Sequence, residues 1–337
     1  MTKKSRVILA ALIIAAAFVL SASAQSTTGK AKEDAIKTHT AAATAAAKED
    51  FKGSLNMCVP PAPAGAQRGA RGGGGGGQRN AQPPSDVVPA AKAFDNLYFV
   101  GLRSVAAWAI KTSDGIIMID ALNNAKDAEN TIVPGLKSLG LDPKQIKYVV
   151  ITHSHGDHYG GAQYLLDNFH PRLIMSDADW KGVEGPLQFD NPNWSKPPKR
   201  DITVNDGYKL TLGDTTLTLY VTPGHTPGTI SPVIPVKDNG QAHTAFLWGG
   251  TGFNFERTAA NFKRYAESAQ RMKEMVGKSG IDVFLSNHPN VDSALTKLEA
   301  MKARQTGQPN PFVVGPGTVQ RFLTVVGECA KAQEATF

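Results

Sequence analysis

Beyond residue 20 the sequence has no apolar run comparable to Val7–Leu20, and that run itself falls short of the roughly 20 residues a membrane span requires. The mature chain is therefore expected to be soluble, with no stable membrane insertion. An excess of one charge is also missing. Lys and Arg total 36 against 29 Asp and Glu, a net +7. Lys3, Lys4 and Arg6 supply three of these charges, and setting them aside leaves +4, too little to argue for a nucleic-acid partner. Charged residues make up 19% of the chain and hydrophobic residues 41%, a globular composition that excludes disorder throughout. Length alone would allow about two domains. Cysteine is nearly absent: only Cys58 and Cys329 occur in 337 residues.

What is present at the N-terminus is a basic start, the apolar run and the small-residue triplet Ala22-Ser23-Ala24. This is the pattern of a secretory signal cleaved after Ala24, which implies a periplasmic or secreted protein; an uncleaved anchor is the alternative. In an oxidising compartment a lone pair of thiols is commonly joined. A Cys58–Cys329 disulfide is expected to tie an N-terminal arm to the last helix, with two free thiols as the alternative.

Composition divides the rest. Residues 25–59 include an Ala-, Lys- and Glu-rich stretch from Ala31 to Ala47 that predicts a helical arm. Residues 60–85 carry Pro-Pro-Ala-Pro, six consecutive glycines (Gly72–Gly77) and Pro83-Pro84. Such a segment cannot bury enough apolar surface to order itself, so it is expected to be a flexible linker, with Arg68, Arg71 and Arg79 as solvated charge. From residue 86 to 337 the pattern is regular. Strands are expected at Leu97–Gly101, Ala106–Lys111, Ile116–Ile119, Ile146–Ile151, Arg172–Met175, Lys209–Leu212, Thr215–Val221, Ser231–Val236, Thr244–Leu247 and Val283–Leu285. Helices are expected at Ala125–Leu139, Gly161–Asn168, Thr258–Val276, Val291–Ala303 and Thr318–Ala332. Strand-rich halves, each closed by helices, predict a layered α/β sandwich in one domain of roughly 250 residues.

The chemistry gathers at Thr152-His153-Ser154-His155-Gly156-Asp157-His158, directly after the buried strand. Extended backbone sends His153 and His155 to one side, and the following turn brings Asp157 and His158 to the same space. Three imidazoles and a carboxylate within six positions are hard to satisfy in a dry core unless a divalent cation takes their lone pairs. His225, in Pro223-Gly224-His225-Thr226-Pro227-Gly228, and His288, in Ser286-Asn287-His288-Pro289, also follow strands, where α/β folds collect functional groups. The remaining histidines, His39, His170 and His243, are expected on the surface.

His-x-His-x-Asp-His, Gly-His-Thr-Pro-Gly and the late Asn-His-Pro together resemble the metallo-β-lactamase superfamily, and within it the subclass B3 enzymes. The resemblance runs from about Asn96 to His288. It implies a four-layer αββα sandwich and two zinc ions per chain, the first held by His153, His155 and His225, the second by Asp157, His158 and His288. It assigns Asp120 to steadying the ligand loop by hydrogen bonds. Glyoxalase II and phosphodiesterase branches would need a bridging aspartate after the strand ending at Leu247, where this chain has Trp248-Gly249-Gly250-Thr251. Subclasses B1 and B2 would need a cysteine between His225 and His288, and there is none. Where B3 enzymes commonly carry Asp-Ser, with the serine positioning the substrate carboxylate, Gly249-Gly250 has no side-chain donor. The proline-rich loop Glu184–Lys199 aligns with a substrate-flanking loop; Phe189 and Trp194 are its candidate apolar contacts, Lys196 or Lys199 its candidate partners for an acidic substrate, and simple capping of the sandwich is the alternative. The implied activity is metal-activated hydrolysis of a small-molecule substrate, foremost β-lactam ring opening with Asp157 orienting the nucleophile. Hydrolysis of a lactone, ester or other cyclic amide is the alternative.

Overall fold

The computed structural model describes residues 29–60, 86–187, 189 and 191–337. The expected signal and nearly all of the expected linker lie outside the described residues. Among those described, no helix is long and apolar enough to cross a membrane.

Alternation along the strands sets the layers, because successive side chains leave opposite faces of a sheet. The first sheet runs in order β1 (Ala91–Phe94), β2 (Leu97–Phe99), β3 (Trp108–Thr112), β4 (Gly115–Ile119), β5 (Ile146–Val150), β6 (Arg172–Ser176) and β7 (Ile202–Val204). The second has β8 (Tyr208–Leu212), β9 (Thr215–Val221), β10 (Ile230–Asp238), β11 (Gln241–Trp248) and β12 (Val283–Ser286), in spatial order β12-β11-β10-β9-β8. Ile117 and Ile119 of β4 and Ala245 and Leu247 of β11 meet in the core between the sheets. Ile116 and Met118 face the opposite way, into a second core with Tyr159, Leu165 and Trp180. Phe246 and Trp248 face outward from the other sheet, onto a third core built with Phe262, Phe284 and Phe322. Three apolar cores between four layers make this an αββα sandwich.

The outer layers come from the helices. Covering the first sheet are α2 (Ala125–Asp127), α3 (Val133–Ser138), α4 (Gly156–Tyr159), α5 (Ala162–Phe169) and α6 (Asp177–Glu184). The expected helix Ala125–Leu139 is interrupted by a π turn at Ala128–Ile132, just before Pro134, whose ring supplies no N–H to the helical ladder. Helix α1 (residues 29–47), α7 (Ala259–Ser279) and α9 (Pro316–Glu334) form the other outer layer. Helix α8 (Ala294–Ala303) starts three residues later than expected, because Ser293 is left-handed (φ 57°).

The N-terminal segment is built into this body. Ala43 and Ala47 are buried in the third core, where their small side chains allow close approach. Phe51 then sets its ring edge-on to Phe284 (5.9 Å) and Phe322 (5.4 Å); burial of one such ring stabilises by about 1.5–3 kcal/mol. A 3-10 turn, Lys52–Cys58, follows, and Cys58 is disulfide-bonded to Cys329 of α9. His243 departs from the surface position expected for it: on β11 its Nδ1 lies 2.6 Å from the Asp282 carboxylate, and only 10% of its side chain is exposed. His39 is likewise part-buried against Glu328 of α9 (2.7 Å). His170 is exposed, as expected.

Candidate metal centre

The centre lies where strands of both sheets end. Strands β4 and β5 run parallel, as do β11 and β12, so residues 120, 152–158, 249–252 and 287–288 all leave the same edge. Cross-sheet hydrogen bonds hold that edge together. The Ile230 N–H donates to the Thr152 carbonyl (2.7 Å), and the Asn287 side-chain amide donates to the Gly249 carbonyl (2.6 Å).

Histidines 153, 155, 158 and 225 are buried, and Asp157 and His288 are partly so. Ring centroids lie 4.4 Å apart for His153 and His225, 4.1 Å for His153 and His158, and 5.1 Å for His158 and His288. In each of four rings Nδ1 faces an oxygen that can only accept: His153 the Gly249 carbonyl (2.8 Å), His225 that of Gly252 (3.0 Å), His288 that of Ser104 (2.8 Å), and His158 the Asp120 carboxylate (2.8 Å). Each Nδ1 must therefore carry a proton, which leaves Nε2 of the neutral His153, His225 and His288 rings as a bare lone pair, whereas His158 offers its Nε2 lone pair only when a cation displaces the second proton.

Those lone pairs converge. Nε2 of His153 and Nε2 of His225 stand 3.1 Å apart, and Nε2 of His158 is buried with no hydrogen-bond partner. Burial and the neighbouring imidazoles hold His153 and His225 well below the ordinary histidine pKa. Burial also disfavours charge on His158, but the carboxylates of Asp157 and Asp120 overcome it and raise the ring to about 10. Asp157 is held below the usual carboxylate range: burial works against it, and the His158 charge prevails. Facing lone pairs beside a carboxylate repel or orphan one another, and a cation among them removes both problems. The donor set fits a divalent, nitrogen-preferring metal.

Two groups of donor atoms are close enough to grip an ion: His153, His155 and His225, and His153, Asp157 and His158. The first is the triad that the resemblance implies. In the second, His153 stands where His288 was expected; Nε2 of His288 is 3.9 Å from the Asp157 carboxylate, turned toward it by the Ser104 carbonyl.

The surrounding residues show why the ligands sit as they do. Asp120 occupies left-handed backbone (φ 62°) and is fully buried. Its carboxylate accepts from the Thr152 N–H (2.7 Å), the Thr152 hydroxyl (2.9 Å) and His158. Strained backbone of this kind persists only where its surroundings over-determine it. Gly249 and Gly250 have a steric reason: a Cβ would stand 1.8 Å from the Ile230 carbonyl oxygen at the first and 2.5 Å from the His225 Cβ at the second. Any larger residue would displace the carbonyl that aims His153 or the ring of His225.

Of the expected substrate contacts, Phe189 and Trp194 line a cavity of about 560 Å³ over His155, Asp157, His225 and His288. Lys196 and Lys199 do not line it. Sequence reasoning missed Phe253, Phe255 and Arg257, which close the opposite wall, and Asp179. Buried on α6, Asp179 accepts from the Thr226 hydroxyl (2.7 Å) and the Gly228 N–H (3.0 Å), and Ser154 also bonds to it. It ties the His225 turn to the His153–His155 loop. The Ser/Thr-rich turn around it was the available signal, but a lone acid on a helix carries no spacing pattern.

Comparison with known proteins follows the same lines. The family model of the Metallo-beta-lactamase superfamily matches residues 100–238. An N-acyl homoserine lactonase from Bacillus sp is 26% identical over 212 residues, covering 54% of this chain and 80% of the relative. Two Bacillus subtilis relatives are matched over only 58% and 54% of their length. Among solved structures, BJP-1, a subclass B3 metallo-beta-lactamase of Bradyrhizobium japonicum, is 28% identical with a TM-score of 0.60, covering 72% of this chain and 92% of that one. The FEZ-1 metallo-beta-lactamase from Legionella gormanii is 25% identical with a TM-score of 0.62, covering 72% and 94%.

Proposed function

We propose that this chain is a hydrolase of the metallo-beta-lactamase superfamily, whose family model it matches over residues 100–238, and that it is an exported enzyme with two zinc ions that opens the ring of a cyclic amide, a β-lactam foremost. The observation that carries this is the pair of bare Nε2 atoms of His153 and His225, 3.1 Å apart, beside Asp157 and the orphaned Nε2 of His158. Zinc bound there would lower the pKa of water toward about 7 and polarise the scissile carbonyl. His153, His155 and His225 would hold the first ion, and Asp157, His158 and His288 the second. Asp157 would orient the nucleophile and is placed to take a proton from it and pass that proton to the departing nitrogen. Phe189, Trp194, Phe253 and Phe255 exclude water and hold the apolar part of the substrate. The absence of a carboxylate at Gly249-Gly250 favours this ligand set over one bridged by aspartate.

A lactone is the second reading, supported by the lactonase relative and by the missing side-chain donor at Gly249-Gly250. Metal analysis of the purified protein, followed by turnover of nitrocefin and of an N-acyl homoserine lactone, separates the two. His155→Ala should lose metal and turnover together; full activity in that variant without metal would refute the mechanism.

A further inference from the structure

The two walls of the aromatic cavity are held in different ways. Trp194, from the proline-rich loop, lies directly on Gly156, where a Cβ would stand 2.5 Å from its ring. That wall is seated on the ligand loop itself. Phe253, Phe255 and Arg257 come from the loop between β11 and α7, and their support runs away from the metal centre. The rings of Phe253 and Phe255 each lie 5.2 Å from Phe262 of α7. The Arg257 guanidinium covers the same Phe262 ring at 4.8 Å and donates to the side-chain oxygen of Gln333 on α9. Burial disfavours the Arg257 charge, and both of these partners are neutral.

Gln333 is fully buried. Its amide nitrogen donates to the Met57 carbonyl (2.9 Å), so its oxygen is the end that faces Arg257. A buried amide satisfied at both ends has a single orientation. Four residues earlier on the same face of α9, Cys329 is bonded to Cys58, the neighbour of Met57. Hydrophobic contact is non-directional, so packing on Phe262 alone does not set how far the 253–257 loop reaches over the cavity. A hydrogen bond to a rigidly held amide does. We infer that Gln333 is a positioning residue for substrate selection: acting through Arg257, it sets the Phe253–Phe255 wall and so the fit of a planar apolar group on the substrate. Gln333 belongs neither to the cavity lining nor to a candidate ligand group. This role rests on the hydrolase reading above, and it makes the end of α9 and the disulfide-linked N-terminal segment part of what selects the substrate.

Two penicillins that differ only in their side chain, acetyl against phenylacetyl, test it on the zinc-loaded protein. KM for the phenylacetyl compound is expected to be about tenfold lower, the scale of burying one phenyl ring. Gln333→Leu removes both amide bonds and should lose most of that preference by raising KM for the phenylacetyl compound. Its zinc content and its KM for the acetyl compound should stay at the wild-type level. Gln333→Glu keeps an acceptor for Arg257 and should restore the preference. Equal KM for the pair in the wild type, a preference that survives Gln333→Leu, or no restoration in Gln333→Glu overturns the inference. Should Gln333→Leu not fold, Arg257→Lys carries the test, since it keeps the cation without the planar fork that reaches Gln333. The same loss of preference then supports the role of Gln333, and an unchanged preference overturns it. If the zinc-loaded wild type hydrolyses neither penicillin, the ring-opening reading fails by itself. Calorimetric binding of the same pair then decides: tighter binding of the phenylacetyl compound that depends on Gln333 supports the inference, and any other pattern overturns it.

Discussion

The Asp120 carboxylate lies 2.8 Å from Nδ1 of His158 and also accepts both the N–H and the hydroxyl of Thr152. One buried acid at the end of β4 therefore fixes the orientation of a candidate ligand and the start of the loop that carries it. Asp120→Ala should weaken metal binding about 10–100-fold, read by competition with a chromophoric chelator. Unchanged affinity would show that His158 is aimed by something else.

Asp179 plays the corresponding part for His225. Asp179→Ala leaves the Thr226 hydroxyl and the Gly228 N–H buried without their acceptor, at about 1–3 kcal/mol each, and frees the turn that presents His225. We expect a lower Tm together with weaker binding of the first metal. A drop in Tm with metal affinity intact would confine Asp179 to stability.

How far the sequence alone revealed this depended on local pattern. The strand ending at Ile151 and the ligand loop after it were legible because both the apolar stretch and the ligand spacing are local, whereas the short helix α4 was expected only as a turn. His225 and His288 were legible because each follows a strand. Phe253, Phe255 and Arg257 lie on a loop with no periodicity, and only the tertiary fold sets them opposite Phe189 and Trp194. His243 was misplaced because its partner, Asp282, comes from the start of the neighbouring strand, 39 residues on. Strands β1 and β7 were missed: they are four and three residues long, too short to show alternation. Gly249-Gly250 read as a missing donor, whereas the structure adds a packing demand that composition cannot express.

The Cys58–Cys329 bond joins residues 271 positions apart, and removing such a bond typically costs about 2–5 kcal/mol. Cys58→Ser with Cys329→Ser should lower Tm markedly while leaving the metal content unchanged, since neither cysteine belongs to a candidate ligand group. Thiol titration of the unfolded, unreduced wild type should find none; two reactive thiols would dispose of the bridge.

A pH effect is expected from Asp292, which is 2% exposed and accepts from the N–H groups of Ser286 (2.9 Å) and Ala294 (3.1 Å). Burial pushes its carboxyl up to about 7, against the pull of Lys297 and these N–H groups. The folded protein then keeps a proton that the unfolded chain has released. The stability linked to that proton is complete below about pH 4 and is lost as pH rises through 7. Asp292→Asn cannot ionise, so the Tm advantage of the wild type over this variant should narrow from pH 5 to pH 8. A widening gap would reverse the assignment.

The six candidate ligands come from three separated stretches of chain, and the sheet carrying β5 supplies four of them while the other sheet supplies His225 and His288. Neither half can assemble the centre unaided. During synthesis the His153–His158 cluster emerges long before residue 288, so the nascent protein passes through a stage rich in imidazole yet unable to complete its grip. Capture of the ions should then act as a late clasp across the seam, and chelation should loosen the association of the halves before it unravels either one.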